Sequence, residues 1–176
     1  MKKVLLHICC GVCALHSIDK LKKDAFLVSG FFYNPNIYPF EEYAKRLDAA
    51  KEACRIFEIE FFTADYTYDL WLNTCRRYCD QPEGGERCSM CYAIRIKAAF
   101  DFAVANGFDY LTSTLTISPY KNSKKIFEIA RDICGDKYLP VNFKKEDGFK
   151  KTAAFAREFN LYRQNYCGCE FSIYGK

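Results

Sequence analysis

The sequence predicts an α/β protein, a three-layer sandwich in which a mainly parallel sheet is covered on both faces by helices. Three observations carry this expectation. Short apolar runs alternate with amphipathic stretches, the connections between them are short, and no internal repeat, low-complexity segment or linker interrupts the pattern. The 176 residues suffice for one domain with a proper core, expected to span the whole chain, and are too few for two. Half of them are apolar, which excludes a disordered chain. The run "AFLVSGFFY" (25–33) reaches only about half the length a membrane helix requires, so it reads as a buried strand and no membrane partner is expected.

The elements follow in order. "KVLLHI" (3–8) is a short apolar strand, followed by a helix over 14–23 that ends in lysines. Strand 25–33 leads into "NPNIYP", an irregular turn set by two prolines. The stretch 40–57 places Tyr43, Leu47, Ala50 and Cys54 at helical spacing, with acids early and bases late. "IEFF" (59–62) is a third strand, 68–79 a short helix, and "DQPEGGE" (80–86) a loop. Helix 89–105 stops at "NG", strand 108–115 runs into a polar loop, and helix 121–134, strand 138–143 and helix 148–159 complete the pattern. The tail from residue 162 shows no clear period. In such sheets, ligands sit at the carboxyl ends of the strands, where strand order reverses.

Charge is uneven. Residues 120–165 carry 11 Lys and Arg against 6 Asp and Glu, a net of +5, whereas residues 1–119 carry 14 against 15. The excess is therefore local, and Tyr120, Phe143, Phe149 and Tyr162 are interleaved with it. That suits a polyanion such as RNA, although a solvated lysine-rich surface has the same composition. The opening "MKKVLLHICC" imitates a secretory or lipoprotein leader, but His7 interrupts its apolar core and no small-residue cleavage site follows. A cytoplasmic protein is expected.

In a reducing compartment, 11 cysteines require an explanation other than disulfides. Cys54 and Cys134, each alone on a helical face, read as small core residues. Three clusters do not: "CCGVC" (Cys9, Cys10, Cys13), "ERCSMCY" (Cys88, Cys91) and "YCGCEFS" (Cys167, Cys169). Cys9 and Cys10 end the first strand, at the ligand edge of the sheet. Cys88 and Cys91 sit in the first turn of a helix, where the dipole is expected to lower thiol pKa. A C-x-x-C pair lets two thiolates reach one metal. Zinc needs four such ligands, and seven exceed that. With His7 and His16 the only histidines, a histidine-rich zinc or iron site is disfavoured. Soft thiolates in excess suit an iron–sulfur cluster, with room for a second metal. "CRRYCDQP" (75–82) opens like a radical-SAM motif but has Pro82 where a third cysteine belongs, leaving Cys75 and Cys79 open between ligand and core roles. A dithiol redox pair at Cys88 and Cys91 is the remaining rival, and it leaves the other five clustered thiols without a purpose.

"HICCGVC", "EGGERCSMCY", "TSTLTISPYKNS" and "LYRQNYCGCEFS" match, in order and across essentially the whole chain, the signature of the cobalamin-independent epoxyqueuosine reductases (QueH). Val12 stands where that family's first motif has proline, which changes loop stiffness and no ligand. The resemblance implies a fold similar to the PP-loop and adenine-nucleotide hydrolase (HUP-like) proteins, whose phosphate loop after the first strand is here replaced by "CCGVC". It implies a cluster, expected to be of the 4Fe-4S type, a second mononuclear iron, and no cobalamin. It implies tRNA carrying epoxyqueuosine in its anticodon loop as substrate and an electron donor such as a ferredoxin or flavodoxin. The implied reaction removes the epoxide oxygen of epoxyqueuosine with two electrons and two protons, giving queuosine and water.

On this reading Cys10, Cys88, Cys91 and one of Cys167 and Cys169 hold the cluster. Cys9 and the remaining tail thiol hold an iron open to substrate, and Cys13 is either a ligand or a thiol packed under the first helix. Cys9 and Cys10, adjacent in an extended chain, are expected to point opposite ways and so to serve two centres. Gly11 is expected to keep the turn tight. Tyr120, Lys121, Arg163 and Gln164 offer stacking, phosphate contact and base-edge hydrogen bonds to a splayed-out nucleotide, and Tyr120 or Tyr166 is the candidate proton donor. Two alternatives stand beside it. One is a PP-loop-like tRNA sulfur-transfer enzyme, which would need the S-G-G-x-D-S loop that this chain lacks; the other is a zinc-stabilised RNA-binding module without catalysis.

Overall fold

The structure, a computed structural model, describes residues 1–174. Four parallel strands form one sheet in the order β3-β2-β1-β4: β1 (Lys3–His7), β2 (Leu27–Phe32), β3 (Phe61–Thr63) and β4 (Tyr110–Ser113). The register pairs Leu5 with Ser29 on one side and with Leu111 on the other. Because β1 is central and both its faces are covered, Val4, Leu5 and Leu6 are all fully buried, as a continuous apolar strand requires. Val4, Leu6 and Ile8 face one core and Leu5 faces the other, following the two-residue period of a strand.

The first core is closed by α1 (Gly11–Lys23), α2 (Phe40–Ile56) and α6 (Gly148–Glu158); the second by α4 (Glu86–Ala105) and α5 (Ser123–Cys134). Two short helices, α3 (Tyr68–Cys75) and α7 (Glu170–Tyr174), complete the order. A third, small apolar cluster joins Trp71 and Cys75 of α3 to Cys91 of α4 and Cys169 of the tail. The chain winds from β1 outward through β2 to β3, then returns to place β4 on the other side of β1. Strand order therefore reverses between β1 and β4, and the loops leaving their carboxyl ends flank a crevice.

Several expectations need correction. The strand expected over 138–143 does not form; a single parallel bridge joins Leu111 and Tyr138. Leu139 N–H still donates to Leu111 O (2.8 Å), but Pro140 has no N–H to give and Val141 N–H turns back to Leu139 O (2.9 Å), so the ladder stops. Helices α1 and α4 each begin three residues earlier than expected, which draws Cys13 into the first turn of α1, keeps Cys88 in the first turn of α4 and moves Cys91 into its second turn. The tail is not wholly irregular, because α7 ends it within the described residues.

Gly11 is required for a reason other than the turn. A Cβ there would lie 2.2 Å from Ala49 O, so the glycine permits α1 to pack directly on the α2 backbone. Cys54 and Cys134 are buried core residues, as expected. Among the described residues, no helix is long and apolar enough to cross a membrane.

Candidate metal centre

The sheet delivers the first cysteine loop to the switch point. His7 closes β1, fully buried, with its ring held between Ser113 Oγ (Nδ1, 2.8 Å) and Tyr33 O (Nε2, 3.2 Å). A carbonyl only accepts, so Nε2 carries the proton and Nδ1 accepts from Ser113, whose oxygen in turn accepts from Leu115 N–H (3.2 Å). This buried relay ties the ends of β1, β2 and β4 together immediately below the cysteines.

Cys9, Cys10 and Cys13 lie on this platform with their sulfurs within 4.8 Å of one another. Cys9 Sγ and Cys10 Sγ are 3.8 Å apart, so they do not point opposite ways. The chain bends at Cys9 to enter α1, and the bend cancels the alternation that an extended strand would impose. Thiolates on one tetrahedral metal with bonds of about 2.3 Å stand ~3.8 Å apart. The spacing and chemistry of this donor set therefore fit a soft metal centre.

Thr114, the first residue after β4, secures Cys9 twice. Its hydroxyl accepts from Cys9 N–H (3.0 Å) and donates to Cys9 Sγ (3.2 Å). Gln164 Nε2 donates to Cys10 Sγ at 2.8 Å. Hydrogen bonding from Cys10 and Cys13, together with the charges of Arg95 and Lys121, holds the Cys9 thiol well below the ordinary cysteine range. Burial pushes Cys10 up to about 12.

The second and third cysteine groups approach from α4 and from the tail. Cys88 Sγ accepts from Gly84 N–H (3.2 Å), and Cys91 Sγ stands 3.9 Å from Arg95 Nη1. The expectation that the helix start lowers these two pKa values is not met: burial raises both, so desolvation outweighs the dipole. Cys91 and Cys169 share the apolar cluster around Trp71 with Cys75, and Cys79 is exposed. Cys167 lines the same cleft as Cys9 and Cys13, and the thiols that stand within 4.8 Å of one another among the described residues are those of Cys9, Cys10 and Cys13.

The tail is positioned by a buried guanidinium. Arg46 of α2 pairs with Glu42 (2.7 Å) and donates to the carbonyls of Cys167 (2.9 Å) and Tyr166 (3.1 Å). Gly168 has a φ of 109°, and a Cβ there would meet Arg46 Nη1 at 2.8 Å, so the glycine of "YCGC" is needed for both its backbone and its lack of a side chain. Tyr38 N–H donates to Gly168 O (2.8 Å). The Tyr166 hydroxyl donates to Tyr38 O, which commits it to a backbone partner.

Above the thiols opens a cleft of about 690 Å³. Cys9, Cys13 and Cys167 line its floor, and Tyr120, Lys121, Arg163, Gln164 and Tyr166 its walls and rim, so the residues expected to bind substrate are brought to one place. Tyr120 is 84% exposed. Arg163 lies over the Phe149 ring, 6.0 Å from its centroid. Arg46, Arg95, Lys121 and Arg163 face the cleft against a single acid, Glu83, which favours an anionic ligand.

Thr114, Arg95, Asn34 and Arg46 escaped the reading of the sequence. For the two arginines a signal existed, since each falls on a helical face whose other members, Tyr43 and Ala50 or Tyr92 and Ala99, are apolar.

The fold and this site define a three-layer α/β protein with a parallel sheet, in which a loop of thiols follows the first strand at the switch point. Two solved structures share the fold. One is the predicted subunit of a tRNA methyltransferase from Methanocaldococcus jannaschii (TM-score 0.61, 13% identity, 90% of this chain and 75% of that one). The other is the U34-tRNA thiolase NcsA from Methanococcus maripaludis with its [4Fe-4S] cluster (0.63, 18%, 97% and 61%). The profile of the family described as epoxyqueuosine reductase QueH matches residues 4–174. Curated relatives with that name include proteins of Streptococcus pyogenes (35% identity, 96% of this chain, 69% of the relative) and Thermotoga maritima (33%, 98% and 91%). The chain belongs to the epoxyqueuosine reductase QueH family, a family of oxidoreductases in tRNA modification.

Proposed function

We propose that this chain reduces epoxyqueuosine in tRNA to queuosine in the cleft at the β1–β4 switch point, at an iron centre held by the clustered thiols. The observation that carries the reading is the group of Cys9, Cys10 and Cys13 within 4.8 Å on the floor of a cation-lined cleft, in a chain of this family. Cys10, Cys88 and Cys91 with one of Cys167 and Cys169 would hold a 4Fe-4S cluster. Cys9, which lines the cleft, would with the other tail thiol hold a second iron, and because Cys9, Cys10 and Cys13 stand within 4.8 Å of one another, Cys13 would be able to join either centre. Bound there, the metal centre supplies single electrons and Lewis acidity toward the epoxide oxygen.

The chain's own residues do the rest. Tyr120, exposed on the rim, offers a ring on which the flipped base can stack, and Lys121 and Arg163 neutralise flanking phosphates. Gln164 is divided between Cys10 and the cleft, which ties substrate contact to the thiol floor. Of the two candidate proton donors, Tyr120 keeps its hydroxyl free among the described residues, whereas Tyr166 is engaged with Tyr38 O. Two electrons and two protons convert the epoxide to an alkene and water. The electrons come from a one-electron carrier of the ferredoxin or flavodoxin type, with no cobalamin, in the cytoplasm. Sulfur transfer is disfavoured because the S-G-G-x-D-S loop that would bind ATP is absent from the sequence.

The test is conversion of epoxyqueuosine-containing tRNA by anaerobically iron- and sulfide-reconstituted protein with a chemical reductant. The expected product is a nucleoside one oxygen lighter, formed without cobalamin or ATP. Product that forms only with ATP, or only with cobalamin, overturns the reading.

A further inference from the structure

Three arginines are buried in this protein, Arg46, Arg87 and Arg95, and two of them have ordinary partners. Arg46 pairs with Glu42 and two carbonyls. Arg87 donates to the carbonyls of Tyr78, Cys79 and Gln81, and lies over the Phe171 ring. Arg95 differs. It is 2% exposed, and like Arg87 it has an Nε without a hydrogen-bond partner. Arg87 is held by three backbone carbonyls, whereas Arg95 has among the described residues neither a carboxylate nor a backbone carbonyl partner. Its Nη2 donates to Asn34 Oδ1 at 2.5 Å and its Nη1 faces Cys91 Sγ at 3.9 Å. A guanidinium remains charged at any working pH. Burying that charge against an amide and a neutral thiol is unfavourable unless an anion completes the site.

The groups able to supply negative charge around Arg95 are sulfurs. Burial works against its charge, and Cys91, Cys9 and Cys167 act in its favour. Asn34 extends the contact, because its Nδ2 donates to Ile8 O at 2.8 Å, the carbonyl immediately before Cys9. Arg95 therefore touches the cysteine of α4 directly and, through one rigid amide, grips the peptide that carries the β1 cysteines.

We propose that Arg95 is the fixed counter-cation of the thiolate metal centre, positioning the β1 and α4 cysteines relative to one another and making the centre easier to reduce. The inference rests on the metal-centre reading above. A buried positive charge stabilises the reduced, more negative form of a thiolate-held centre relative to the oxidised one. Asn34 completes the device by denying the guanidinium any rotation away from the sulfurs.

The test uses the reconstituted wild-type protein with Arg95→Gln and Arg95→Lys. Iron and sulfide content are measured first, then the midpoint potential in an anaerobic titration followed by electron paramagnetic resonance. Arg95→Gln is expected to shift the potential to more negative values, so that the ratio of reduced to oxidised centre at a fixed poise falls about tenfold, the order a unit charge exerts at short range inside a protein. Arg95→Lys keeps the charge and is expected to keep the potential. Should Arg95→Gln fail to load, the lysine variant decides: iron content and potential like wild type support the inference, and a potential shifted despite the retained charge overturns it. Iron-loaded Arg95→Gln with an unchanged potential overturns this inference alone. Wild-type protein that takes up no redox-active iron overturns the metal-centre reading and this inference with it.

Discussion

Cys9 differs from every other cysteine in its surroundings. Its sulfur accepts from the Thr114 hydroxyl, its amide donates to the same oxygen, and it lines the cleft. Cys54, by contrast, sits 1% exposed in the first core, with its thiol pushed up to about 12 by burial. We therefore expect Cys9→Ser to reduce turnover to background and to lower bound iron, and Cys54→Ser to leave both unchanged, as measured by nucleoside analysis and metal content. This contrast was legible in the sequence, because a lone cysteine at helical spacing and a thiol crowded into "CCGVC" call for different explanations. The direction in which Cys10 points was not legible, since it depends on the bend at Cys9 where the chain leaves β1 for α1.

At the scale of elements, the sequence carries the strands and helices through their periods, and it fails where a long-range partner decides. The run "YLPVNF" has strand composition, but its Pro140 removes the donor that a ladder on β4 would need next. The tail has no period because its conformation comes from outside. Arg46 grips the carbonyls of Tyr166 and Cys167, Tyr38 pairs with Gly168, and the Tyr68 hydroxyl donates to Glu170 Oε1 at 2.5 Å. Removing Arg46 leaves Glu42 buried without its counter-charge and the tail without its anchor. Arg46→Ala is expected to cost about 3–5 kcal/mol in a denaturant titration and to lower iron content. Arg46→Lys, which keeps the charge and loses the fork, is expected to recover more stability than iron content.

Across the whole molecule, the doubly wound order of the sheet brings five distant segments to one edge. The loop after β1, the loop after β4, the start of α4, the start of α6 and the tail meet there, and the basic stretch 120–165 forms one side of the opening. The sequence displayed that charge asymmetry without saying which surface it would occupy; the placement of α6 beside α1 settles it. Lys145, Lys150 and Lys151 are exposed, the last two between the cleft-lining Phe149 and Thr152, and are suited to phosphates of a tRNA. Replacing all three with glutamine is expected to weaken tRNA binding, to flatten its dependence on salt by about one unit of slope per lost phosphate contact, and to leave the reduction of a short substrate largely intact. Filter binding across a salt series, run beside single-turnover assays, separates the two effects.

Electron paramagnetic resonance of the reduced, iron-loaded protein, recorded with and without an anticodon stem-loop carrying epoxyqueuosine, reads whether the thiols of the loop after β1 hold a metal centre that meets the substrate. A centre open to the cleft predicts an altered signal when the modified oligonucleotide is added, and no change with an unmodified one. An identical signal in both cases, from protein that demonstrably binds the oligonucleotide, would contradict it.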